Sequence, residues 1–275
     1  MQIGQHHTLR IDRMTGPGAF LTDEETEVLM PTKWIPDEAR VGDSIRAFVY
    51  RDSEDRIIAT TLKPHLIVGE FGYLKVKEIS KVGAFLDWGI EKDILVPFRE
   101  QNGILKVGNW ILVYLYVDEK TDRVVATNKV SRFYEKQNIE LEEGQQVDLL
   151  ITDTTDLGVN VIIDNTYQGL IYKNEIFKDL MPGDKTKGFI KAIREDNKID
   201  VSLQKQGLDQ LESGAQQILD ELRNNGGYLG LHDKSDPEDI QLELQMSKKN
   251  FKRSVGILYK QKLIILEDGG IRLNS

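Results

Sequence analysis

The sequence predicts a mainly β protein in which three small five-stranded barrels are followed by a small α/β domain. A strand motif that begins with glycine occurs three times along the chain. Within each copy the strands are short, rich in β-branched residues and separated by glycine and acidic turns. Near residue 206 this pattern gives way to apolar residues at helical spacing. A chain of 275 residues has room for several such domains.

The repeated motif consists of a glycine with a short strand, a second apolar strand, a second glycine and a closing strand. The first glycines are Gly18, Gly83 and Gly158, and the second strands end at Pro31, Pro97 and Tyr172. The closing strands read "RIIAT", "RVVAT" and "KIDVS". The number of residues between one part of the motif and the next differs by at most one between copies. The repeat is therefore stronger evidence for three similar domains than any single motif would be.

The second copy shows the strand pattern most clearly. Its predicted strands are 71-81, 84-88, 93-97, 110-117 and 123-127. Five short strands in about sixty residues suit a small closed barrel of the oligonucleotide-binding (OB) type better than a two-sheet sandwich. Applied to all three copies, the pattern predicts OB-fold barrels over residues 1-66, 67-135 and 136-205.

The stretch "GAFLDW" predicts an aromatic side chain on the outside of the second barrel. Alternation along a strand puts Phe85 and Asp87 on one face. The other face carries Ala84, Leu86 and Trp88. Because a carboxylate seldom lies in a core, we expect Phe85 to be substantially exposed and Trp88 to be mostly buried. An exposed aromatic ring is a stacking surface for a nucleic-acid base.

After residue 205 the sequence predicts a helix, a brief strand, two helices and a hairpin. The first helix is "LDQLESGAQQILDELRNNGG", and the second, "SDPEDIQLEL", has a capping residue and an early proline. The third, "MSKKNFKRSVGILYKQK", is capped by Ser247, and its apolar stripe is Phe251, Val255, Leu258 and Tyr259. "LIILEDGGIRL" follows as a hairpin. This order is that of a winged helix, predicted over residues 206-275.

Charge is distributed unevenly along the chain. The net charge of -9 argues against a protein coated in positive charge, so any binding to phosphates must come from local patches. Between Ser247 and Lys262 there are six basic residues and no acidic one. On a helix, Lys249, Lys252 and Arg253 cluster on one side. The alternative interpretation is an ordinary solvated helix face.

Composition excludes several kinds of site. The chain has no cysteine, which excludes disulfides and thiolate chemistry and fits a reducing cytoplasm. The N-terminus lacks the layout of a signal peptide, and no apolar run approaches the roughly 20 residues of a membrane span. No acidic pair has a histidine or serine at catalytic spacing, and His6 and His7 have no nearby metal-ligand set. We expect a cytoplasmic, non-catalytic protein without metal or cofactor.

The repeat of glycine, Ala-Phe, apolar strand, "VGD" and closing strand resembles the S1 RNA-binding domain in all three copies. In that family the phenylalanine of the run faces RNA, which corresponds to Phe20 and Phe85, whereas the third copy has Asn160. Where the family favours histidine at the end of the third strand, the third copy has Tyr172. The expected RNA contacts are Phe20, Lys33, Phe85, Phe98, Arg99, Arg123, Tyr172, Lys173, Lys248, Lys249, Lys252, Arg253 and Lys262.

Three S1-like barrels followed by a winged helix with "SKKNFKRSVGILYKQKLI" resemble the bacterial conserved virulence factor B family. The resemblance implies an RNA-binding protein that influences gene expression and uses its winged helix as part of the binding surface. Two other functions remain open. The winged helix could make the protein a DNA-binding transcriptional regulator, or the barrels could be spacers in a protein-interaction scaffold. The third helix is rich in lysine, which neutralises phosphate more than it reads bases, so single-stranded RNA is favoured over DNA.

Overall fold

The computed structural model describes residues 1–176, 178–204 and 208–274, with side chains for all of these except residues 208–213. The chain divides into two compact units, Met1–Tyr134 and Glu135–Ser275. The predicted boundary between the third barrel and the winged helix, at 205/206, lies outside the described residues. No helix in the described ranges is long and apolar enough to span a membrane.

The first barrel is closed, with strand order β1-β2-β3-β5-β4. Its strands are β1 (Gln5–Thr15), β2 (Gly18–Thr22), β3 (Glu27–Pro31), β4 (Ser44–Arg51) and β5 (Ile57–Thr60). Alternate side chains point inward and form its core, among them Ile11, Leu21 and Met30.

The second barrel is an open sheet of five strands with order β10-β9-β6-β7-β8. Its strands are β6 (Phe71–Ile79), β7 (Gly83–Leu86), β8 (Ile94–Pro97), β9 (Trp110–Asp118) and β10 (Arg123–Thr127). All five predicted strands are present, and no end differs from its predicted position by more than two residues. The two edge strands, β8 and β10, lie side by side, which gives the sheet the curvature of a barrel.

The third barrel is closed and has the strand order of the first. Its strands are β11 (Gln146–Thr154), β12 (Gly158–Ile163), β13 (Tyr167–Tyr172), β14 (Lys185–Ile193) and β15 (Ile199–Ser202). Strands β13 and β15 pair in parallel, with Gly169 opposite Ile199. The predicted mainly β architecture of three five-stranded units is therefore confirmed, with the second unit open between its edge strands.

The glycine that begins each copy of the motif is required by a close approach between two strands. Gly18, Gly83 and Gly158 have φ angles of 154°, 151° and 157°. A Cβ atom at these positions would lie 2.0, 2.2 and 2.0 Å from a backbone carbonyl oxygen of the paired strand. Only glycine fits without moving one of the strands, and the same geometry recurs in each barrel.

Replacing Gly83 by alanine should lower the free energy of unfolding by about 2 kcal/mol or more, because the new Cβ clashes with the carbonyl oxygen of Val96. Gly16→Ala is the matched control, since a Cβ added at Gly16 would meet no atom within 4 Å and the residue has no positive φ. Urea unfolding of both variants measures the difference. Equal stability of the two would contradict the close approach.

The first and second barrels share a core. Phe48 and Tyr50 lie on the side of β4 that faces away from the core of the first barrel, yet both are buried, together with Trp88 of the second barrel and Leu66 of the segment between β5 and β6. Trp88 meets the Phe48 ring edge-on at a centroid distance of 5.4 Å, and its Nε1 donates to the Leu66 carbonyl at 2.8 Å. Burial raises the pKa of Tyr50 to about 12. The two barrels of the first unit are thus joined by aromatic packing.

The C-terminal elements form the predicted winged helix. They are α1 (Leu208–Asn224), β16 (Tyr228–Leu229), α2 (Pro237–Leu244), α3 (Lys248–Lys260), β17 (Ile264–Glu267) and β18 (Gly270–Leu273). The three strands form a sheet of order β16-β18-β17. Asp236 caps α2 by accepting from the Glu238 amide, and Ser247 caps α3 by accepting from the Asn250 amide.

One predicted core position on α3 is wrong. Phe251, Val255 and Leu258 are buried as expected, but Tyr259 is 56 % exposed. Helix α3 packs closely on α1 at Gly214, where a Cβ would lie 2.5 Å from Ser254 Oγ. This contact centres the buried face of α3 near Ser254 and leaves Tyr259 outside it.

Candidate nucleic-acid interface

Strands β2, β7 and β12 present equivalent outward positions. Phe20, Phe85 and Asn160 occupy them, opposite Leu29, Leu95 and Leu170 of the next strand. The alternation predicted around Phe85 is confirmed, because Ala84, Leu86 and Trp88 are buried. Phe85 itself is only partly exposed, less than predicted, and its cross-strand partner Leu95 is also partly buried.

An arginine covers the aromatic ring of the first barrel. The Arg13 guanidinium lies 4.1 Å from the centroid of Phe20. Its nitrogens donate to both oxygens of Glu27, at 2.5 and 2.9 Å. These hydrogen bonds raise the pKa of Arg13 and lower the pKa of Glu27, so both groups stay charged at neutral pH. A base that stacks on Phe20 must displace this arginine or stack on it.

The third barrel has a comparable arrangement at Tyr172. Arg194 lies 5.7 Å from the ring centroid, hydrogen-bonds the Tyr172 hydroxyl and pairs with Asp200 at 3.0 Å. The hydrogen bond with Asp200 raises the pKa of Arg194. Lys173 is exposed and has no carboxylate within ion-pair distance among the described residues. Tyr172 is therefore partly covered, whereas Lys173 is available to a phosphate.

The ring of Phe85 differs from the rings of Phe20 and Tyr172, which arginine side chains cover. Within the described part of the chain, no arginine or lysine lies over it. Its cross-strand neighbour on β6 is Glu78, at the position that Arg13 takes in the first barrel. Phe85 thus presents a ring that no described cation covers, unlike Phe20 at the equivalent position of the first barrel and Tyr172 in the third barrel.

Phe98 and Arg99 stand at the end of β8, in a short 3-10 helix after Pro97. Phe98 is 55 % exposed, and the Arg99 side chain is hydrogen-bonded to Asp118. The next residue, Glu100, is buried and paired with Arg132, which fixes the turn. Phe98 is therefore an accessible aromatic side chain of the second barrel, in addition to the partly exposed Phe85.

Two predicted phosphate contacts are engaged in ion pairs between the first two barrels. Lys33 Nζ lies 2.6 Å from Glu91 and 5.0 Å from the centroid of Trp34. Arg123 Nε donates to Asp55 at 3.0 Å, and this hydrogen bond raises the pKa of Arg123. Nucleic acid would have to compete with these carboxylates, so Lys33 and Arg123 are less available than the sequence indicated.

A cleft of about 350 Å³ lies beside Lys33. Its apolar lining includes Leu29, Pro31, Trp34 and Ile58, and Arg56 and Lys92 add positive charge. Lys92 Nζ donates to the carbonyls of Arg51 and Asp52 at 2.8 Å, and burial lowers its pKa. Trp34 was not predicted as a site residue, because Trp34 follows the repeated motif and has no counterpart in the other copies.

The basic residues of α3 form the least neutralised patch. Lys249, Lys252 and Arg253 are exposed, and in the described ranges none has a carboxylate within 4.0 Å. Lys262, just after the helix, is also exposed. Lys248 is different, because its Nζ donates to the Ser235 carbonyl at 2.7 Å and helps to hold the loop before α2. We call Lys249, Lys252 and Arg253 the α3 patch.

Comparison with protein families now identifies the domains. The S1 domain family matches residues 3–62 and 68–129, and the CvfB-like winged helix domain family matches residues 216–273. The chain therefore contains S1 domains and a CvfB-like winged helix domain, and it is similar over most of its length to proteins named conserved virulence factor B. The S1 and winged-helix families are families of non-catalytic nucleic-acid-binding domains. Nucleic acid is therefore the class of partner that the domains of this chain share.

Relatives match almost the whole chain. Conserved virulence factor B of Staphylococcus aureus (strain USA300) is 25% identical over 246 residues, covering 87% of this chain and 82% of the relative. The uncharacterized protein YitL of Bacillus subtilis (strain 168) is 29% identical over 285 residues, covering 98% and 93%. A crystal structure of a multidomain protein with nucleic acid binding domains from Streptococcus pneumoniae TIGR4 has 25% identity, covers 99% and 98%, and gives a TM-score of 0.42.

Proposed function

We propose that this protein binds single-stranded RNA and regulates gene expression after transcription, in the cytoplasm and without catalysing a reaction. The observation that carries the proposal is the uncovered ring of Phe85 on the outside of an S1 barrel. Stacking on an aromatic ring requires a base whose face is free, which a single strand provides and a duplex does not.

The α3 patch supplies the electrostatic part of the proposal. Its unpaired cations attract phosphate locally in a chain whose net charge is -9. Lysine binds phosphate as a point charge and makes few bidentate contacts with base edges, so the patch suits the backbone of a strand. Gly256, exposed on the same helix, leaves room for that backbone to approach. These features favour a sequence-tolerant single-strand contact over a duplex reader.

Filter binding with single-stranded RNA, single-stranded DNA and duplex DNA at two salt concentrations tests the proposal. We expect single-stranded RNA to bind most tightly and both single strands to lose affinity as salt rises. Preference for duplex DNA would instead indicate a transcriptional regulator that uses α3 in the major groove. No binding to any of the three would indicate a protein-interaction scaffold.

A further inference from the structure

The outer surface of β9 begins with an exposed tryptophan that the proposed site does not use. Trp110 is the first residue of β9 and is 63 % exposed. Val113 and Leu115 are buried, so alternation puts Trp110 on the outside of the second barrel. Ile104 and Val107, in the loop before β9, are 92 % and 62 % exposed. Three large apolar side chains are therefore exposed within residues 104–110, and clustered exposed apolar side chains are typical of binding surfaces.

Backbone pairing fixes the position of Trp110 relative to β6. Trp110 is the cross-strand partner of Lys75. Beyond the regular ladder, the Val76 amide donates to the Asn109 carbonyl, and the Gly108 amide donates to the Val76 carbonyl, both at 2.8 Å. These bonds hold the loop before β9 against β6, so the tryptophan and the lysine lie side by side.

Strand β6 carries outward lysines next to this tryptophan. Leu74 and Val76 are buried, so Lys75 and Lys77 point away from the core and are both exposed. Lys77 pairs with Asp93 at 2.8 Å. Lys75, by contrast, has no carboxylate within 4.0 Å in the described part of the chain. Lys106, in the loop before β9, is exposed and likewise unpaired there. The tryptophan is thus flanked by free positive charge.

The strand order places β6 between β7 and β9. Phe85 on β7 is opposite Glu78 of β6, and Trp110 on β9 is opposite Lys75, so the two aromatic residues lie on opposite sides of β6 with Lys75, Lys77 and Glu78 between them. Neighbouring strands are about 4.8 Å apart, so Phe85 and Trp110 are at least about 10 Å apart. Lys75 supplies a cation without an acidic partner among the described residues between the two rings, and this order of ring, cation and ring matches the alternation of base and phosphate along a single strand.

We infer that the second barrel binds one nucleic-acid strand across β6, with one base on Trp110, another on Phe85 and the intervening backbone on Lys75. The inference rests on the proposed function and extends it to a second stacking position on a different strand of the barrel. The lysines beside the tryptophan favour a polyanion as the partner. An apolar protein surface would remove water from these cations without neutralising their charge, which is unfavourable. Trp110 is thereby a binding residue, and Lys75 a phosphate contact.

Binding of a fluorescein-labelled oligouridylate, which does not self-pair, tests this path. Trp110→Ala should weaken binding roughly 5- to 150-fold, the cost of losing one stacked base, and Trp110→Phe should retain most of the affinity. Lys75→Gln should reduce the magnitude of the logarithmic salt slope by about 0.7. Leu242→Ala is the control, because Leu242 is an apolar residue of α2 that is 85 % exposed. The control should bind as the wild type does.

Tryptophan fluorescence with unlabelled oligouridylate gives an independent readout. If a base stacks on Trp110, oligouridylate should quench the tryptophan fluorescence of the wild type more than that of Trp110→Phe. Suppose that the wild type binds and Phe85→Ala weakens binding, while the Trp110 and Lys75 variants leave affinity, salt slope and quenching unchanged. In that case the inference is wrong and the proposed function stands. If Trp110→Ala abolishes only self-association in sedimentation, the surface is a protein contact and the inference is wrong. A wild type that does not bind overturns both proposals.

Discussion

Phe85→Ala should weaken the binding of single-stranded RNA by about 1–3 kcal/mol, the value of one base stacked on an aromatic ring. The ring is partly exposed and uncovered, whereas its neighbours Ala84 and Leu86 are buried and hold β7 in place. Because the ring is only partly buried, we expect the free energy of unfolding to fall by only about 1 kcal/mol. Fluorescence anisotropy and urea unfolding measure the two effects.

Phe20→Ala is the matched control for this prediction. Phe20 has the equivalent position in the first barrel, but Arg13 covers its ring and is held there by Glu27. The loss of affinity should therefore be smaller than for Phe85→Ala. If Phe85→Ala unfolds the protein, or leaves affinity unchanged while Phe20→Ala lowers it, the assignment of the second barrel is wrong.

Reversing two charges of the α3 patch should weaken binding similarly for all sequences. In the variant Lys249→Glu, Lys252→Glu, two phosphate contacts are lost, which should reduce the magnitude of the logarithmic salt slope by about 1.4 for a single strand. A glutamate at position 249, in the first turn of α3, interacts favourably with the helix dipole, so the helix should remain folded. Titrations at several salt concentrations measure the slope.

Lys198→Glu provides a control with a charge reversal elsewhere in the second unit. Lys198 is exposed but already paired with Asp196 at 2.7 Å, so its loss should leave the salt slope unchanged. If the variant of the α3 patch keeps both the wild-type affinity and the wild-type slope, α3 is an ordinary solvated face.

Local features of the sequence predicted the strands and helices well. The strands of the second barrel were located within two residues, because alternation and turn residues act over short distances. The cap at Ser247 was also predicted, since a helix N-terminus selects its residue type through one local hydrogen bond. The glycine of each motif copy was visible in the sequence, and its reason, a carbonyl oxygen within 2.2 Å of any Cβ, came from the structure.

Features that depend on contacts between distant segments were not predicted. Phe48 and Tyr50 are buried by the second barrel, and nothing in β4 itself shows that its outer face is covered. Tyr259 is exposed because the face of α3 that packs on α1 lies near Ser254, and this contact with Gly214 has no signal within α3 itself. The pairing of Lys33 with Glu91 likewise joins two barrels and has no local signal.

Photocrosslinking of single-stranded RNA that contains a photoreactive uridine analogue tests most directly whether the second barrel and the winged helix both bind the strand. After digestion, mass spectrometry identifies the crosslinked peptides. We expect crosslinks to β7 (Gly83–Leu86) on the second barrel and to α3 (Lys248–Lys260) on the winged helix. RNA that is bound and crosslinked only outside these two elements would contradict this assignment.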